Sequence, residues 1–538
     1  MDAPPPTPLA TSRRSLPDRI GSLPSTRAPR RAEVVGVALF VFFVLFTMMA
    51  VRPYNHDDEQ YVTAGVLARH LTLYRDFAYN QPPLHPLLLS AVFRFFDGYY
   101  YLVARALQLV LALGSAVLGW RVVARITGSS RVGLLAPLLF ATSTTMQSAT
   151  GCGRNDVLPC VLLLGSIASV LGGWRARERG RAAAWMALAG ALAALSLSSK
   201  QTYLFVPVGT LLYLLLAPGL PHRTVAVAAF AAGCVAGGMV DLYYFLVAGD
   251  AFSYMMVRFN VVVATDWYTR AGLADELTIA GRLLAAGRSF VRDGVAPAAL
   301  LCAVAGVVTA RRSGSLPSLA RLASTPVGFL ASLWLVSIPM SWTPKPQHPQ
   351  YFLPTFVLGS LLAASILGLY PPTVRALRLA AAAVLALGMS AGVARAVTFA
   401  PGTLSPTSWV AMQVHADGLA IRAGAGGRRI CVATLSPLRA LDVGLSIIPE
   451  LAAGPFLFRS GEVLGRERLA QLHGTSPSLL PELLDRRRPG AILVGFEVGW
   501  NIVPDAPLRA YALARGFTPG PLVDALWYGG GPGVGCVS

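Results

Sequence analysis

The sequence predicts a mainly α-helical, polytopic membrane protein with about eleven transmembrane helices and a small extracytoplasmic α/β domain at its carboxyl end. Of its 538 residues, 54% are hydrophobic and only 13% are charged, about half of the roughly 25% charged residues of a soluble domain. Long apolar runs fill residues 34–400, and a more polar segment follows at 401–538. This composition excludes a soluble, disordered or collagen-like chain.

The apolar runs approach the ~20 residues that a helix needs to cross a hydrocarbon core of ~30 Å. A shorter run at 86–96 is interrupted by Arg94 and flanked by prolines, so we expect it to lie at the membrane interface. The predicted spans are 34–51, 100–120, 132–150, 157–173, 182–199, 203–217, 224–247, 294–310, 325–340, 351–370 and 379–398.

The formal net charge of +19 is explained by topology. The tail 1–33 is rich in arginine, and alternate loops between the spans carry thirteen arginines against one acid, whereas loops 52–99 and 248–293 carry nine arginines against ten acids. The positive-inside rule therefore places the amino terminus in the cytoplasm and, after eleven spans, segment 401–538 outside it. We expect a bacterial inner-membrane protein that contacts anionic membrane lipid, and nucleic acid is not an expected partner.

The carboxyl segment contains strand-like runs at 429–435 and 491–496 and a helical stretch at 508–515, which together indicate an α/β domain. Cys152, Cys431 and Cys536 face outside on the predicted topology. One disulfide can form among these three, and none is required.

The first outer loop carries Asp57, Asp58 and Glu59 directly after the first span. Three adjacent carboxylates near a low-dielectric boundary repel one another, so at least one can have a raised pKa and act as a base. The competing interpretation is an acidic triplet that is exposed by chance and has no function.

Three further outer turns carry cations. Arg154 and Asp156 lie in the second, and Lys200 in the third. The fourth contains Lys345, His348 and Tyr351, so that both lysines of the chain lie at the outer boundary. Taken singly, these residues can also be a structural hairpin ion pair and lysines that extend to the membrane interface.

Taken together, the four turns place carboxylates and cations on one side of the membrane, at the depth of a lipid phosphate. This pattern favours an enzyme that removes a sugar from a lipid phosphate. A carboxylate would deprotonate the acceptor hydroxyl while cations hold the departing phosphate.

The order of these segments resembles the polytopic glycosyltransferases of the GT-C superfamily, which include protein O-mannosyltransferases and aminoarabinose transferases. The resemblance covers most of residues 34–400, which it implies is a transmembrane catalytic domain, and its matched segments are 58–59, 74–76, 81–84, 154–156, 199–200 and 348–354. It implies an inverting enzyme with a polyprenyl-phosphate-linked sugar donor and a glycan, lipid or protein acceptor. The expected catalytic residues are Asp58, Asp57, Glu59 and Asp156, and the expected substrate-binding residues are Lys200, Arg154, Lys345, His348, Tyr351, Tyr74, Asp76, Gln81 and Arg105.

The sequence departs from this family at two points. Asn80 and Gln81 stand before the paired prolines where aminoarabinose transferases have Glu-Lys, so the phosphate-binding cation must come from elsewhere, and Lys200 is the predicted one. Asp57 adds a second aspartate, which leaves the base ambiguous between Asp57 and Asp58, with Asp58 preferred. No cofactor is certain, although the carboxylate cluster can also serve a divalent metal.

A transporter or a lipid-linked glycan flippase is the main alternative, because both are also polytopic. Transporters place ionisable groups near the bilayer midplane and often contain inverted repeats. Here Arg105 and Asp241 are the clear charges within spans, and both lie near predicted outer ends. The odd number of spans and the lack of a visible repeat favour the enzyme.

Overall fold

The computed structural model describes residues 28–220, 222–372, 374–496, 503–520, 522, 526–529, 533 and 535–537. Most of the predicted cytoplasmic tail, residues 1–27, lies outside the described residues. The remaining chain forms a large helical domain, followed from about residue 401 by a smaller domain with a β-sheet.

The helical domain contains both long and short helices. Its α-helices are α1 (Arg31–Val51), α2 (Asp57–Leu67), α3 (Leu84–Phe93), α4 (Tyr100–Thr127), α5 (Ser130–Gly133), α6 (Leu135–Thr142), α7 (Thr144–Thr150), α8 (Val157–Arg175), α9 (Arg179–Ser199), α10 (Phe205–Leu216), α11 (Arg223–Ser253), α12 (Ala264–Arg270), α13 (Ile279–Asp293), α14 (Val295–Arg312), α15 (Leu319–Leu322), α16 (Pro326–Trp342), α17 (Leu353–Leu369) and α18 (Arg375–Phe399). A π-helix, Tyr254–Val263, joins α11 to α12, and 3₁₀ turns occur at Gln201–Leu204, Ala274–Leu277, Pro349–Phe352 and Ala400–Leu404.

Within the described ranges, eight helical segments are long and apolar enough to cross a membrane. The three other predicted spans correspond to shorter apolar helices, Ser130–Thr142, Gln201–Leu216 and Pro326–Trp342. The mainly α-helical membrane fold is therefore confirmed, and of these three helices only Ser130–Thr142 is shorter than its predicted span, 132–150.

The predicted span 132–150 is interrupted at Ser143. The Ser143 backbone is extended, and its hydroxyl oxygen accepts a hydrogen bond from Met146 N, which starts α7. Asp293 Oδ2 fixes this break because it accepts hydrogen bonds from Ser143 Oγ (2.7 Å) and Thr145 N (3.0 Å). A buried carboxylate that supplies these acceptors makes the interruption more favourable than a continuous helix.

Helix α9 packs backbone to backbone against α11. A Cβ at Gly190 would lie 2.0 Å from Phe230 O, and one at Gly233 would lie 2.0 Å from Ala187 O. Small residues permit this approach between membrane helices. The contact fixes α9, and residue 200 directly follows its carboxyl end.

The carboxyl-terminal domain confirms the predicted α/β class. Its five strands lie in the order β2-β1-β3-β5-β4, with β2, β1 and β3 parallel and β5 antiparallel to both β3 and β4. The strands are β1 (Cys431–Ala433), β2 (Ser446–Ile447), β3 (Ala491–Leu493), β4 (Thr518–Pro519) and β5 (Leu526–Tyr528). The helices are α19 (Val410–Gly424), α20 (Leu438–Leu441), α21 (Pro455–Ser460), α22 (Gly465–Gln471), α23 (Leu480–Arg487) and α24 (Ala506–Ala514), with 3₁₀ turns at Pro406–Ser408, Pro449–Leu451 and Gly461–Val463.

The two domains share a hydrophobic core. Buried side chains of α2 and α4, such as Val62 and Tyr101, belong to the same cluster as Leu438 and Leu441 of α20. Cys431 and Cys536 form a disulfide with their Cα atoms 6.0 Å apart, whereas Cys152 is a buried free thiol. The α/β domain is thus attached to the helical domain by packing as well as by the chain.

The fold generates a topology test at exposed positions. Single cysteines at Glu178 and Ser318 should react with a membrane-impermeant thiol reagent only from the cytoplasmic face, and cysteines at Lys345 and Arg428 only from the opposite face, because alternate basic loops determine orientation. All four positions are exposed. Equal labelling of positions 178 and 345 from one face would contradict the predicted orientation.

Candidate active site

Helix α2 carries three successive carboxylates in its first turn, and each of them contacts a different partner. Consecutive residues of an α-helix are rotated by about 100° because a turn contains 3.6 residues. Asp57 therefore reaches the second outer turn, Asp58 reaches α4, and Glu59 reaches the carboxyl-terminal domain.

Asp57 is the only one of the three whose side chain is partly exposed, at 23%. Arg154 Nη1 lies 2.7 Å from Asp57 Oδ2, and His56 Nε2 lies 3.2 Å from Asp57 Oδ1. Burial acts to raise the pKa of Asp57, but the Arg154 charge and the His56 contacts outweigh it and hold the pKa well below its usual range. Asp57 is therefore an ionised carboxylate with an open side.

Asp58, the preferred base in the sequence analysis, is fully buried. Its Oδ2 accepts a hydrogen bond from the Tyr101 hydroxyl at 2.5 Å, and its Oδ1 accepts one from Gly153 N at 3.0 Å. Burial raises the pKa of Asp58, partly offset by the Arg105 charge. With both oxygens engaged, this carboxylate holds the second outer turn against α2 and α4, and an acceptor hydroxyl would have to displace one of these bonds to reach it.

Asp156 is the centre of the cation cluster. Arg154 Nε and Nη2 lie 2.9 and 2.7 Å from Asp156 Oδ2, and Lys200 Nζ donates to Asp156 Oδ1. The Asp156 side chain is only 1% exposed. Burial opposes its ionisation, but the charges of Arg154 and Lys200 lower its pKa. One carboxylate thus faces two cations.

Local backbone structure brings the second and third outer turns together. Helix α9 ends at Ser199, and Lys200 adopts an extended conformation. Asn155 Nδ2 donates a hydrogen bond to the free carbonyl of Ser199 at 2.7 Å. Because the last carbonyls of a helix lack intrahelical partners, this bond caps α9 and also fixes the position of Lys200.

The fourth outer turn contributes His348 and Tyr351. Lys200 Nζ lies 5.3 Å from the centre of the Tyr351 ring, within the range of a cation–π interaction. The His348 ring lies 5.7 Å from that of Tyr351 and is half-buried, and burial lowers its pKa. The structure therefore gathers Asp57, Arg154, Asp156, Lys200, His348 and Tyr351, which we call the outer cluster.

Four predicted binding residues have structural partners outside the outer cluster. Arg105 is fully buried, donates to the carbonyls of Met49 (3.0 Å) and Arg52 (2.7 Å), and caps the end of α1. The buried Tyr74 hydroxyl donates to Gln81 O at 2.5 Å. Asp76 Oδ2 accepts from Thr72 N at 2.7 Å. These contacts shape the end of α1 and the loop before α3, and the predicted binding roles of Arg105, Tyr74, Asp76 and Gln81 stay predictions.

Lys345 lies in a different environment from Lys200, and its predicted binding role stays a prediction. Its side chain is exposed, whereas Lys200 is 6% exposed and lies within the outer cluster. The two lysines, equivalent in the sequence pattern, thus occupy different environments.

Residues of the carboxyl-terminal domain that the sequence analysis did not select lie beside the outer cluster. The Phe456 ring stacks on His56, with centroids 5.7 Å apart, and the Arg459 guanidinium lies 3.9 Å from the centre of the Trp267 ring. About 400 residues separate Phe456 from His56, so no local pattern could have associated them. Helix α21 thereby covers part of the site.

The divergence of the three carboxylates also bears on the predicted use of a metal. In the part of the chain that the structure describes, no group of three or more His, Cys, Asp or Glu residues could hold a metal ion. Asp57, Asp58 and Glu59 point to three different partners, so together they do not form a metal-binding site.

Comparisons with known proteins agree with this architecture. The family described as dolichyl-phosphate-mannose-protein mannosyltransferase matches residues 80–244. No curated protein matches the chain significantly by sequence.

Two solved structures share the fold over nearly their full length. ArnT from Cupriavidus metallidurans bound to undecaprenyl phosphate is 12% identical, with a TM-score of 0.58 over 93% of this chain and 98% of that chain. The apo state of the same protein is 12% identical, with a TM-score of 0.57 over 92% and 96% of the respective chains. The family match over residues 80–244 and the ArnT-like fold agree with the predicted resemblance to the GT-C superfamily.

The outer cluster predicts a large stability effect for Asp156→Asn. Neutralising a buried carboxylate that faces two cations should destabilise the protein by about 3–5 kcal/mol, because the cations lose their compensation. Thermal unfolding of the detergent-solubilised chain measures this. Glu482→Gln, which removes an exposed ion pair with Arg466, should produce a much smaller change. Similar shifts for both variants would contradict the role assigned to Asp156.

Proposed function

We propose that this chain is an inverting glycosyltransferase that moves a sugar from a polyprenyl-phosphate-linked donor to an acceptor hydroxyl on the extracytoplasmic side of the membrane. The observation that carries the proposal is the outer cluster, in which an ionised and partly exposed Asp57 lies beside Arg154, and Arg154 and Lys200 share one buried carboxylate. The GT-C-type fold supports it, because the similar ArnT structure was solved with undecaprenyl phosphate bound.

Asp57 is the proposed general base. In an inverting displacement, the acceptor oxygen attacks the anomeric carbon from the face opposite the phosphate and transfers its proton to the carboxylate. Asp57 is ionised and its side chain is 23% exposed, whereas Asp58 and Glu59 have no exposed surface. The geometry therefore favours Asp57 over Asp58, the base that the sequence analysis preferred.

Lys200 and Arg154 are the proposed phosphate ligands. As the bond between the anomeric carbon and the phosphate oxygen breaks, negative charge develops on the departing lipid phosphate. Asp57 and Asp156 balance the positive charges of Arg154 and Lys200 in the site without a ligand, and a phosphate would compete with these carboxylates for the two cations. His348 and Tyr351 border the same cations, and His348 can donate a hydrogen bond in its neutral form.

The sidedness of the proposal has two supports. The positive-inside pattern places the ends of α1 and α9 outside the cytoplasm. The Cys431–Cys536 disulfide lies in the domain that covers the outer cluster, and disulfides persist mainly in oxidising compartments. Both observations favour an extracytoplasmic site.

The transporter alternative gains no support from Arg105 or Asp241. Arg105 binds the carbonyls that end α1, and Asp241 accepts a hydrogen bond from Ser198, one residue before the end of α9. Both residues are therefore engaged by structural partners near helix ends. A midplane substrate site would require ionisable groups at the centre of the bilayer.

The role of Asp57 is tested by Asp57→Asn and Asp58→Asn in parallel. Asp57→Asn should lower sugar transfer by about 10²- to 10⁴-fold, the usual contribution of a general base, while binding of undecaprenyl phosphate is retained. Asp58→Asn should have the smaller effect, since the amide can still bond Gly153 and Tyr101. The assay measures transfer of labelled sugar from a panel of undecaprenyl-phosphate-linked sugars to membrane extracts. Loss of sugar transfer in Asp58→Asn alone would identify Asp58 as the base. Normal transfer in both variants would contradict the proposal that the chain is a glycosyltransferase.

The phosphate site is tested by a comparison of the two lysines. Lys200→Ala should weaken binding of radiolabelled undecaprenyl phosphate by about 10- to 100-fold, because a charge-assisted hydrogen bond contributes about 1.5–3 kcal/mol. Lys345→Ala removes the same charge at an exposed position and should change binding much less. Equal affinities of both variants and the wild type would move the phosphate site away from Lys200.

A further inference from the structure

Building on the transferase proposed above, we infer that Arg439 of the carboxyl-terminal domain is a positioning residue for the reaction, because it holds the first turn of α2, and with it Asp57, through an ion pair with Glu59. The inference concerns how the α/β domain takes part in catalysis. In this arrangement the domain is a component of the active site, although its own residues do not need to touch the reacting atoms.

The contact of Glu59 with α20 involves three groups. Arg439 Nη1 lies 3.1 Å from Glu59 Oε1, and Leu438 N donates to Glu59 Oε2 at 2.8 Å. Glu59 is fully buried. Both oxygens of this carboxylate are therefore bonded to adjacent residues of α20, and breaking either contact would leave a buried polar group unpaired.

Arg439 is itself held rigidly. Its guanidinium lies 3.8 Å from the centre of the Phe496 ring and 4.7 Å from that of Tyr54, and its Nε lies 3.2 Å from Asp417 Oδ2. The side chain is only 6% exposed. An arginine stacked on aromatic rings and paired with two carboxylates has little freedom to follow a moving helix, so it acts as a fixed point.

The first turn of α2 is fixed at three points, of which the ion pair of Glu59 is one. Arg154 holds Asp57, Tyr101 holds Asp58, and Arg439 holds Glu59. Glu59 follows Asp57 by two residues in the same turn, so a displacement at Glu59 is transmitted to the Asp57 carboxylate. A displacement of about 1 Å at a reacting group can lower a rate by about 10²-fold.

The ion pair also predicts a pH dependence. Burial raises the pKa of Glu59 to about 7, with the Arg439 charge and the Leu438 hydrogen bond opposing that rise and Asp442 adding to it. Asp442 in turn pairs with His415, and Asp417 faces Arg439 from the other side. The Glu59 charge is thus present above about pH 7 and is lost as the pH falls through that value, whereas the pKa of Asp57 is held far lower.

The experiment uses the full chain in lipid nanodiscs, with Arg439→Ala, Arg439→Lys, Glu59→Gln and a control. The control, Arg466→Ala, removes an exposed arginine of the same domain from its pair with Glu482. Arg439→Ala and Glu59→Gln should lower kcat by about 10- to 100-fold, with binding of undecaprenyl phosphate within about twofold of the wild type. Arg439→Lys should recover part of the rate, because it restores the charge without the stacking.

Two further measurements separate positioning from folding. Amide hydrogen exchange of residues 57–67 should be faster in Arg439→Ala and Glu59→Gln than in the wild type and unchanged in Arg466→Ala. The wild-type kcat should fall on the acid side with an apparent pKa near 7, and Glu59→Gln, which keeps an acceptor for Leu438 N, should lose that limb. If Arg439→Ala does not fold, Glu59→Gln decides the question.

The inference is overturned if exchange of residues 57–67 and kcat are both unchanged in Glu59→Gln, or if binding of undecaprenyl phosphate falls in parallel with kcat. The proposed function and the positioning role of Arg439 can be rejected independently of each other. Loss of transfer in Asp57→Asn together with normal transfer in Arg439→Ala would reject only the positioning role, whereas normal transfer in Asp57→Asn would reject the base itself.

Discussion

The site depends on the need to pair a buried carboxylate. Asp156 lies almost without solvent contact between two membrane helices, where an isolated charge would be too costly to keep ionised. Arg154 from its own turn and Lys200 from the end of α9 meet that need together. Asp156 directly precedes α8 and Lys200 directly follows α9, so these contacts fix the second and third outer turns relative to each other. Arg154 extends the network to Asp57 on α2.

The same constraint explains how the carboxyl-terminal domain is attached. Glu59 and Asp442 are both fully buried at the junction of the domains. Glu59 takes its partners from α20, and Asp442 Oδ1 accepts from Tyr101 N at the start of α4, 3.1 Å away. Glu59 therefore obtains both partners from the other domain, and Asp442 obtains one of its two, the second being His415 of its own domain. Apolar packing alone would permit the domain to slide, whereas these directional bonds define one orientation of α2.

Much of this could be predicted from the sequence, because hydropathy reports burial in lipid and arginine placement reports orientation. Both kinds of signal located the spans and the turns that carry Asp57, Arg154, Asp156 and Lys200, which the structure brings together. The sequence does not show which way a side chain points, so it gives no sign that Arg105 bonds the carbonyls at the end of α1. Nor does it show that Arg439 pairs with Glu59, 380 residues away. It also does not show that Asp293 lies beside Ser143, where it stabilises the break in a predicted span.

The charge balance of the outer cluster suggests why Arg154 contacts two carboxylates. Asp57 and Asp156 together carry two negative charges against the two positive charges of Arg154 and Lys200, so the charges of the cluster balance without a ligand. In the proposed reaction, a lipid phosphate would add a negative charge that competes with Asp57 for Arg154. As Arg154 turns toward the phosphate, the pKa of Asp57 must rise, because the interaction that holds it low is weakened. Donor binding would thus increase the basicity of the carboxylate at the moment when an acceptor proton has to be removed.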